Sequence, residues 1–323
     1  MYPAKDSLAL WITAPRHAEI GPAQVSPQPD DCVIDTLYTS ISRGTERLVF
    51  EGQVPESEYQ TMRAPLQEGA FPFPVKYGYS AVGRIAQGPQ AGQVVFALHP
   101  HQTRFACPAA MAVPVPEGVP PARAVLAANM ETALNILWDA QVQPGDRVTV
   151  VGAGTVGALA GYLASRIPGT ETCLIDVAPE RAALAHALDC GFTLPGDAPY
   201  EADVVIHASA SDAGLETALA LAGPEAMVIE ASWFGARATT VHLGGAFHRG
   251  RLRLIASQVG RIPAHRAARW THRRRLEMAL RLLDDPALDA LISGESAFAD
   301  LPRDYGAILD APGTLCHRVR HDG

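Results

Sequence analysis

Lysine is almost missing from the chain. It occurs only at Lys5 and Lys76, so arginine supplies nearly all the positive charge. A biased genomic base composition explains that preference without any function. A basic excess is missing too: 26 basic against 34 acidic residues leave a net charge of −8. Generic nucleic-acid binding needs a basic footprint, so that class is excluded. No stretch approaches the ~18 consecutive apolar residues of a membrane span. The first twelve residues lack a charged segment followed by a long apolar run, so no secretory leader is expected and the cytoplasm is the expected compartment. The five cysteines, Cys32, Cys107, Cys173, Cys190 and Cys316, are odd in number and form no C-x-x-C pair. That excludes a disulfide framework or a zinc ribbon. There is no internal repeat and no low-complexity segment.

What is present points to two domains, since 323 residues are about twice the common domain size of ~150. The first third is cut by Pro and Gly into short β-rich runs at 7–13, 32–40, 81–85 and 94–98, which suggests a compact β barrel or sandwich. Past Pro120 the pattern changes. Residues 122–141 are Ala/Leu-rich, free of Pro, and predict one helix. Strands then alternate with helices: strands at 147–151, 172–176, 203–207 and 226–231, helices at 155–166, 179–188 and 213–221. That alternation means βαβ units and a parallel sheet. Between residues 246 and 281 stand ten Arg and one Glu. Leu276, Ala279, Leu280 and Leu283 recur there at helical spacing, so one stripe packs while the arginines face outward. Arg261, Arg266, Arg269 and Arg273 to Arg275 then form either a solvated face or a clamp for an anionic substrate. A short helix at 304–309 and a strand at 315–319 close the chain. The expected fold class is α/β, a doubly wound parallel sheet over 119–287 beside a β-rich domain made of 1–118 and 288–323.

The strongest motif is Val148-Thr149-Val150-Val151-Gly152-Ala153-Gly154-Thr155-Val156-Gly157. A buried strand runs into G-x-G-x-x-G, which opens a helix. Gly152 makes the tight turn, Gly154 lets a pyrophosphate approach the backbone, and Gly157 lets helix and strand pack closely. Free N–H groups of Thr155 and Val156 at the helix start receive the phosphate charge. Asp176 ends the next strand nineteen residues past Gly157, near the ~20 expected of a ribose-binding acid. Its carboxylate accepts from a ribose 2′-OH and repels a 2′-phosphate, which favours NAD over NADP. Arg181 either stacks on the adenine or sits on the helix surface.

The order of β-rich lobe, linking helix, Rossmann unit and return segment resembles the medium-chain dehydrogenase/reductase superfamily over nearly the whole chain. Ile41-Ser42-Arg43-Gly44-Thr45-Glu46 and Lys76-Tyr77-Gly78-Tyr79-Ser80-Ala81-Val82-Gly83-Arg84 carry the likeness beside the glycine motif. The resemblance implies a Rossmann sheet plus a GroES-like catalytic domain. Ser42 to Arg47 and Val75 to Val82 are most similar to the branch containing the hydroxyethyl-bacteriochlorophyllide a dehydrogenase. Zinc members of the superfamily hold the metal with a Cys, a Gly-His-Glu motif and a further Cys or acid. Here those positions read Ser42, Gly78-Tyr79-Ser80 and Ala127-Ala128-Asn129, so no metal is expected. His99 and His101 are the alternative ligands.

Without zinc, other groups must stabilise an alkoxide and move a proton. Tyr79 stands where the family has its zinc His and is either the proton donor or a pocket wall. Lys76, three residues earlier, is a candidate to lower its pKa. Thr45 matches the turn where family members use a hydroxyl relay; Ser42 either bonds a substrate oxygen or fills space. Arg43 either contacts cofactor phosphates or lies on the surface. His99-Pro100-His101 reads as a surface loop or a shuttle. Glu131 is a partnered structural charge or a functional one, with Arg43 or Arg123 as partner. The family places His207-Ala208-Ser209 beside the cofactor. Trp233 and Phe234 wall its nicotinamide end or pack an interface, and Ser257-Gln258 is a candidate ribose contact.

The leading reading is therefore a metal-independent, NAD-dependent oxidoreductase of a secondary alcohol or ketone, bulky or anionic. Reduction of a conjugated C=C bond or quinone, and a non-catalytic NAD-binding sensor or subunit, remain open. The expected partner is a small-molecule substrate, with a homodimer through Rossmann sheet edges by analogy and neither nucleic acid nor membrane.

Overall fold

The computed structural model describes residues 7–198 and 201–321; Lys5 and the rest of the first six residues lie outside it. Two compact units emerge. The first runs through Ala128 and resumes at Leu276, and the second is Asn129–Arg275. The divisions thus fall at 128/129 and 275/276, where the sequence suggested 118/119 and 287/288.

The first unit is β-rich. Its larger sheet has the order Ile292–Ala297, Cys316–Arg320, Asp31–Ser42, Ala81–Gln87, Val94–Ala97, Val113–Pro114, with Arg104–Pro108 also pairing Asp31–Ser42. A smaller sheet joins His17–Ala23, Ser7–Ala14, Val75–Lys76 and Glu68–Gly69. Ile34, Val95, Phe105 and Cys107 from these strands share one buried core. All five cysteines are free thiols.

The second unit holds a six-stranded parallel sheet. Its order is Gly191–Thr193, Glu171–Ile175, Arg147–Val151, Ala202–His207, Ala222–Glu230, Arg253–Ala256. Numbered along the chain that is 3-2-1-4-5-6, the dinucleotide-fold order whose switch point lies between strands 1 and 4. Near-continuous runs such as Val148–Val151 suit strands covered on both faces, and Val151, Ile175, Val205 and Val228 fill the core with Leu219.

The predicted 122–141 helix is two, Pro121–Ala124 and Ala127–Ala140. The reason sits at Val125. Its carbonyl accepts the Ser40 and Ser80 hydroxyls at 3.1 and 2.6 Å, which draws it out of the helical ladder. The strands Glu171–Ile175 and Cys316–Arg320 differ by a residue from expectation. No helix among the described residues is long and apolar enough to cross a membrane.

Candidate functional site

In the second unit the glycine turn sits at the switch point. Gly152 has φ +105°, and a Cβ there would lie 2.7 Å from the Ser209 nitrogen. A Cβ on Gly157 would lie 2.0 Å from the Gly152 carbonyl oxygen, whereas one on Gly154 meets nothing within 4 Å. So two glycines are demanded by packing and the third faces open space, where a pyrophosphate needs room. The helix Thr155–Ser165 starts without a side-chain cap, leaving its first N–H groups, around the half-buried Thr155 and Val156, for an anion. Asp176 is half-buried. Its two oxygens accept from Ala153 N at 2.7 Å and Ala178 N at 3.0 Å. Those bonds fix the carboxylate beside the turn with lone pairs to spare. The residues fit a nicotinamide dinucleotide.

Opposite Asp176, at the end of strand 4, a hydrogen-bond chain runs Glu230–His207–Ser209–Ser211. His207 Nδ1 is 2.7 Å from Glu230 Oε2, His207 Nε2 is 2.7 Å from Ser209 Oγ, and the two serine oxygens are 2.9 Å apart. His207 is fully enclosed. Glu230 was not read from the sequence as a site residue; an acid ending a parallel strand beside the switch point was the available signal. Phe234 lies beside His207 with ring centroids 6.2 Å apart and under Arg237 at 5.0 Å.

Other expected cofactor residues are engaged locally. Ser257 donates to Asp139 at 2.6 Å, and Gln258 accepts from Gly260 N at 2.7 Å. Arg181 is buried, so it is not a solvated helix-surface side chain. In the first unit, Arg43 Nε donates to the Leu309 carbonyl at 3.0 Å.

The first unit gathers three hydroxyls. Tyr79 donates to Ser42 Oγ at 2.5 Å and also hydrogen-bonds Thr45. All three residues are half-buried. Burial raises the Tyr79 phenol above its ordinary value; the Ser42 and Thr45 bonds pull it down, and the Glu46 charge adds to the rise. Ser42 begins the helix Arg43–Phe50, whose first turn carries Thr45 and the enclosed Glu46.

Several expectations need correction. Lys76 does not act on Tyr79. It is fully buried and its ammonium is bonded to Glu68 and Gln102, and burial lowers its pKa despite Glu68. His99 and His101 are no surface loop. His99 stacks on Phe105 at 3.8 Å, its Nδ1 lies 2.9 Å from the Pro100 carbonyl, and burial takes its pKa to about 3, too low for a shuttle. His101 is enclosed against Glu46 and Thr39. Glu131 was expected to pair with Arg43 or Arg123. Its partner is Arg275 at 3.0 Å, while Arg123 grips Asp289 with two bonds of 2.7 Å. Arg275, expected to face outward, is among the largest fully buried side chains and also bonds Asn135 and the Val259 carbonyl. Arg266 and Arg274 do lie on the outside, over Trp138 and Trp270.

Zinc does not fit the former ligand positions. Ser42 and Tyr79 bond each other, Asn129 offers an amide, and no group of three His, Cys, Asp or Glu among the described residues is placed to hold a metal.

No family model matches the chain. A curated relative, the D-guloside 3-dehydrogenase of Escherichia coli K12, is 29% identical over 213 residues, 61% of this chain and 60% of that protein. The alignment therefore spans about 60% of the relative's length. Among solved structures, the L-idonate 5-dehydrogenase of Escherichia coli superposes with a TM-score of 0.80 at 14% identity, covering 98% of both chains. A protein described as a zinc-binding dehydrogenase from Sinorhizobium meliloti, bound to NADP, gives 0.77 at 16% identity, covering 98% of this chain and 100% of that one. The fold is the one these dehydrogenase structures share, a β-rich GroES-like domain and a Rossmann domain.

Proposed function

We propose that the chain is an NAD-dependent dehydrogenase/reductase of secondary hydroxyl groups that works without zinc, in the branch its Ser42 to Arg47 segment resembles. The observation that carries this reading is Asp176, fixed by two backbone donors at the rim of the Gly152–Gly157 turn. A ribose diol can bond that carboxylate and a 2′-phosphate is repelled by it. The NADP of the Sinorhizobium meliloti structure belongs to that protein. The names of the related proteins, a guloside and an idonate dehydrogenase, support a polyol or sugar-like alcohol as substrate, which sharpens the secondary alcohol inferred from the motifs.

A bound nicotinamide dinucleotide would supply the hydride acceptor or donor. The chain's own residues manage the proton. Tyr79, kept protonated by burial, suits donation to the oxygen of a carbonyl being reduced. Ser42 holds the phenol in place and Thr45 is the second hydroxyl through which the proton is replaced. We assign the enzyme to the cytoplasm. Self-association would use the edge strand Arg253–Ala256, where Ile255 is exposed.

The test is a fluorescence titration with NADH and NADPH, with total metal measured on the same sample, followed by a screen of polyols and their ketones. Tight NADH binding without stoichiometric zinc is expected. NADPH preference, or one zinc per chain, would overturn the reading of Asp176 or of the lost ligands.

A further inference from the structure

Behind the Ser42–Tyr79 pair lies a carboxylate with no exposure at all. Glu46 Oε1 accepts from Ser42 N at 2.7 Å; Oε2 faces Tyr305 Oη at 2.6 Å and His101 Nε2 at 3.0 Å. The chain continues from His101 Nδ1 to Thr39 Oγ1 at 2.7 Å and from there to His321 Nε2 at 3.1 Å. His321 Nδ1 is enclosed and has no partner among the described residues.

That orphan fixes the direction of every proton. An enclosed acceptor without a partner is less costly than an enclosed N–H without one. His321 therefore carries its proton on Nε2 and gives it to Thr39. Thr39 gives its own to His101 Nδ1, and His101 gives Nε2–H to Glu46. With Tyr305 and the Ser42 amide, three donors converge on one carboxylate. We infer that Glu46 is a positioning residue for Tyr79: it fixes Ser42 from behind and holds a negative charge against the hydroxyl pair. The inference rests on Tyr79 being the proton donor. The groups facing that pair are Tyr77, with its ring 6.2 Å from Tyr79, and Thr45, Glu46 and Tyr305. Glu46 is the one carboxylate among them.

Glu46→Gln separates charge from shape. The glutamine oxygen can still accept from Ser42 N, but its NH2 must donate toward His101. His101 then moves its proton to Nδ1, and the chain reverses as far as an enclosed His321 N–H. The test uses the full chain with 13Cζ-tyrosine and 15N-histidine, assigned with Tyr79→Phe and His101→Gln. In Glu46→Gln the Tyr79 titration midpoint should fall, the direction that losing a like charge requires, and His101 should switch tautomer. Tyr305→Phe strips one donor from the carboxylate and keeps the charge, so the midpoint should rise. It also serves if Glu46→Gln does not fold. An unmoved midpoint in both variants, or a fall in both, would overturn the inference. NADH affinity should stay within twofold in either variant. If NADH fails to bind the wild type while the midpoints move as stated, the dehydrogenase reading falls, and what stands is that Glu46 sets the ionisation of the Tyr79 phenol.

Discussion

The Tyr79 phenol donates to Ser42 at 2.5 Å and is raised above its ordinary value by burial. A group in that state gives a proton and does not take one at neutral pH. Ketone reduction should therefore hold level from pH 6 to 9 and decline only when the phenol ionises, measurable as kcat against pH at saturating NADH. Tyr79→Phe should lower kcat by about 10²- to 10⁴-fold, the usual worth of a positioned acid, and leave NADH affinity within twofold. Gly157 offers a second test at the same scale. A methyl group there would sit 2.0 Å from the Gly152 carbonyl oxygen, a contact that forces the turn open. Gly157→Ala should weaken NADH binding at least about tenfold and reduce stability by about 1–3 kcal/mol. Unchanged NADH binding would show that the dinucleotide lies elsewhere.

At the scale of elements, the helix His272–Arg281 illustrates what periodicity can and cannot reveal. Leu276, Ala279, Leu280 and Leu283 are buried as the spacing required. Arg275, one position before that stripe, is buried with them because Glu131 and Asn135 wait for it on the helix Ala127–Ala140. Nothing in a local pattern separates Arg275 from Arg274, since the deciding partner lies 144 residues away. The same limit hid the break at Val125, caused by hydroxyls at Ser40 and Ser80, and the bond of Lys76 to Gln102, 26 residues on. The glycine turn, by contrast, was legible because strand, turn and helix are contiguous and each glycine has its own steric reason. The buried pair gives a test. Burial pushes the Glu131 carboxyl up and Arg275 draws it down, so the charge depends on its partner. Arg275→Met should destabilise the protein by about 3–5 kcal/mol, while Arg275→Met with Glu131→Leu should recover most of that loss. Urea denaturation of both variants decides it. Equal losses would mean that the guanidinium acts through packing alone.

Over the whole molecule, the change near Pro120 from turn-punctuated strands to strand–helix alternation was enough to expect a β-rich domain and a Rossmann sheet. The three-hydroxyl cluster was only half legible. Ser42, Thr45 and Tyr79 stand in motifs, whereas Glu46, Tyr305, Thr39 and His321 meet only through the closure of the first unit's sheet, where Cys316–Arg320 pairs Asp31–Ser42. That unit has a property which no single motif announces. His99 and His321 are both enclosed and both brought by burial to a pKa of about 3 from 6.5. Each stays neutral in the folded chain at a pH where the unfolded chain takes up a proton. The sign follows from that difference: stability is fully present above pH 6.5 and is lost as pH falls toward 3. Each histidine should remove about 1.6 kcal/mol between pH 6.5 and 5, a large share of a typical domain's stability. Urea midpoints of the first unit's unfolding should therefore drop steeply over that interval. His99→Phe keeps a ring against Phe105 and removes one of the two protonation sites, so it should roughly halve the slope. An unchanged slope would assign the acid sensitivity to groups other than these buried imidazoles.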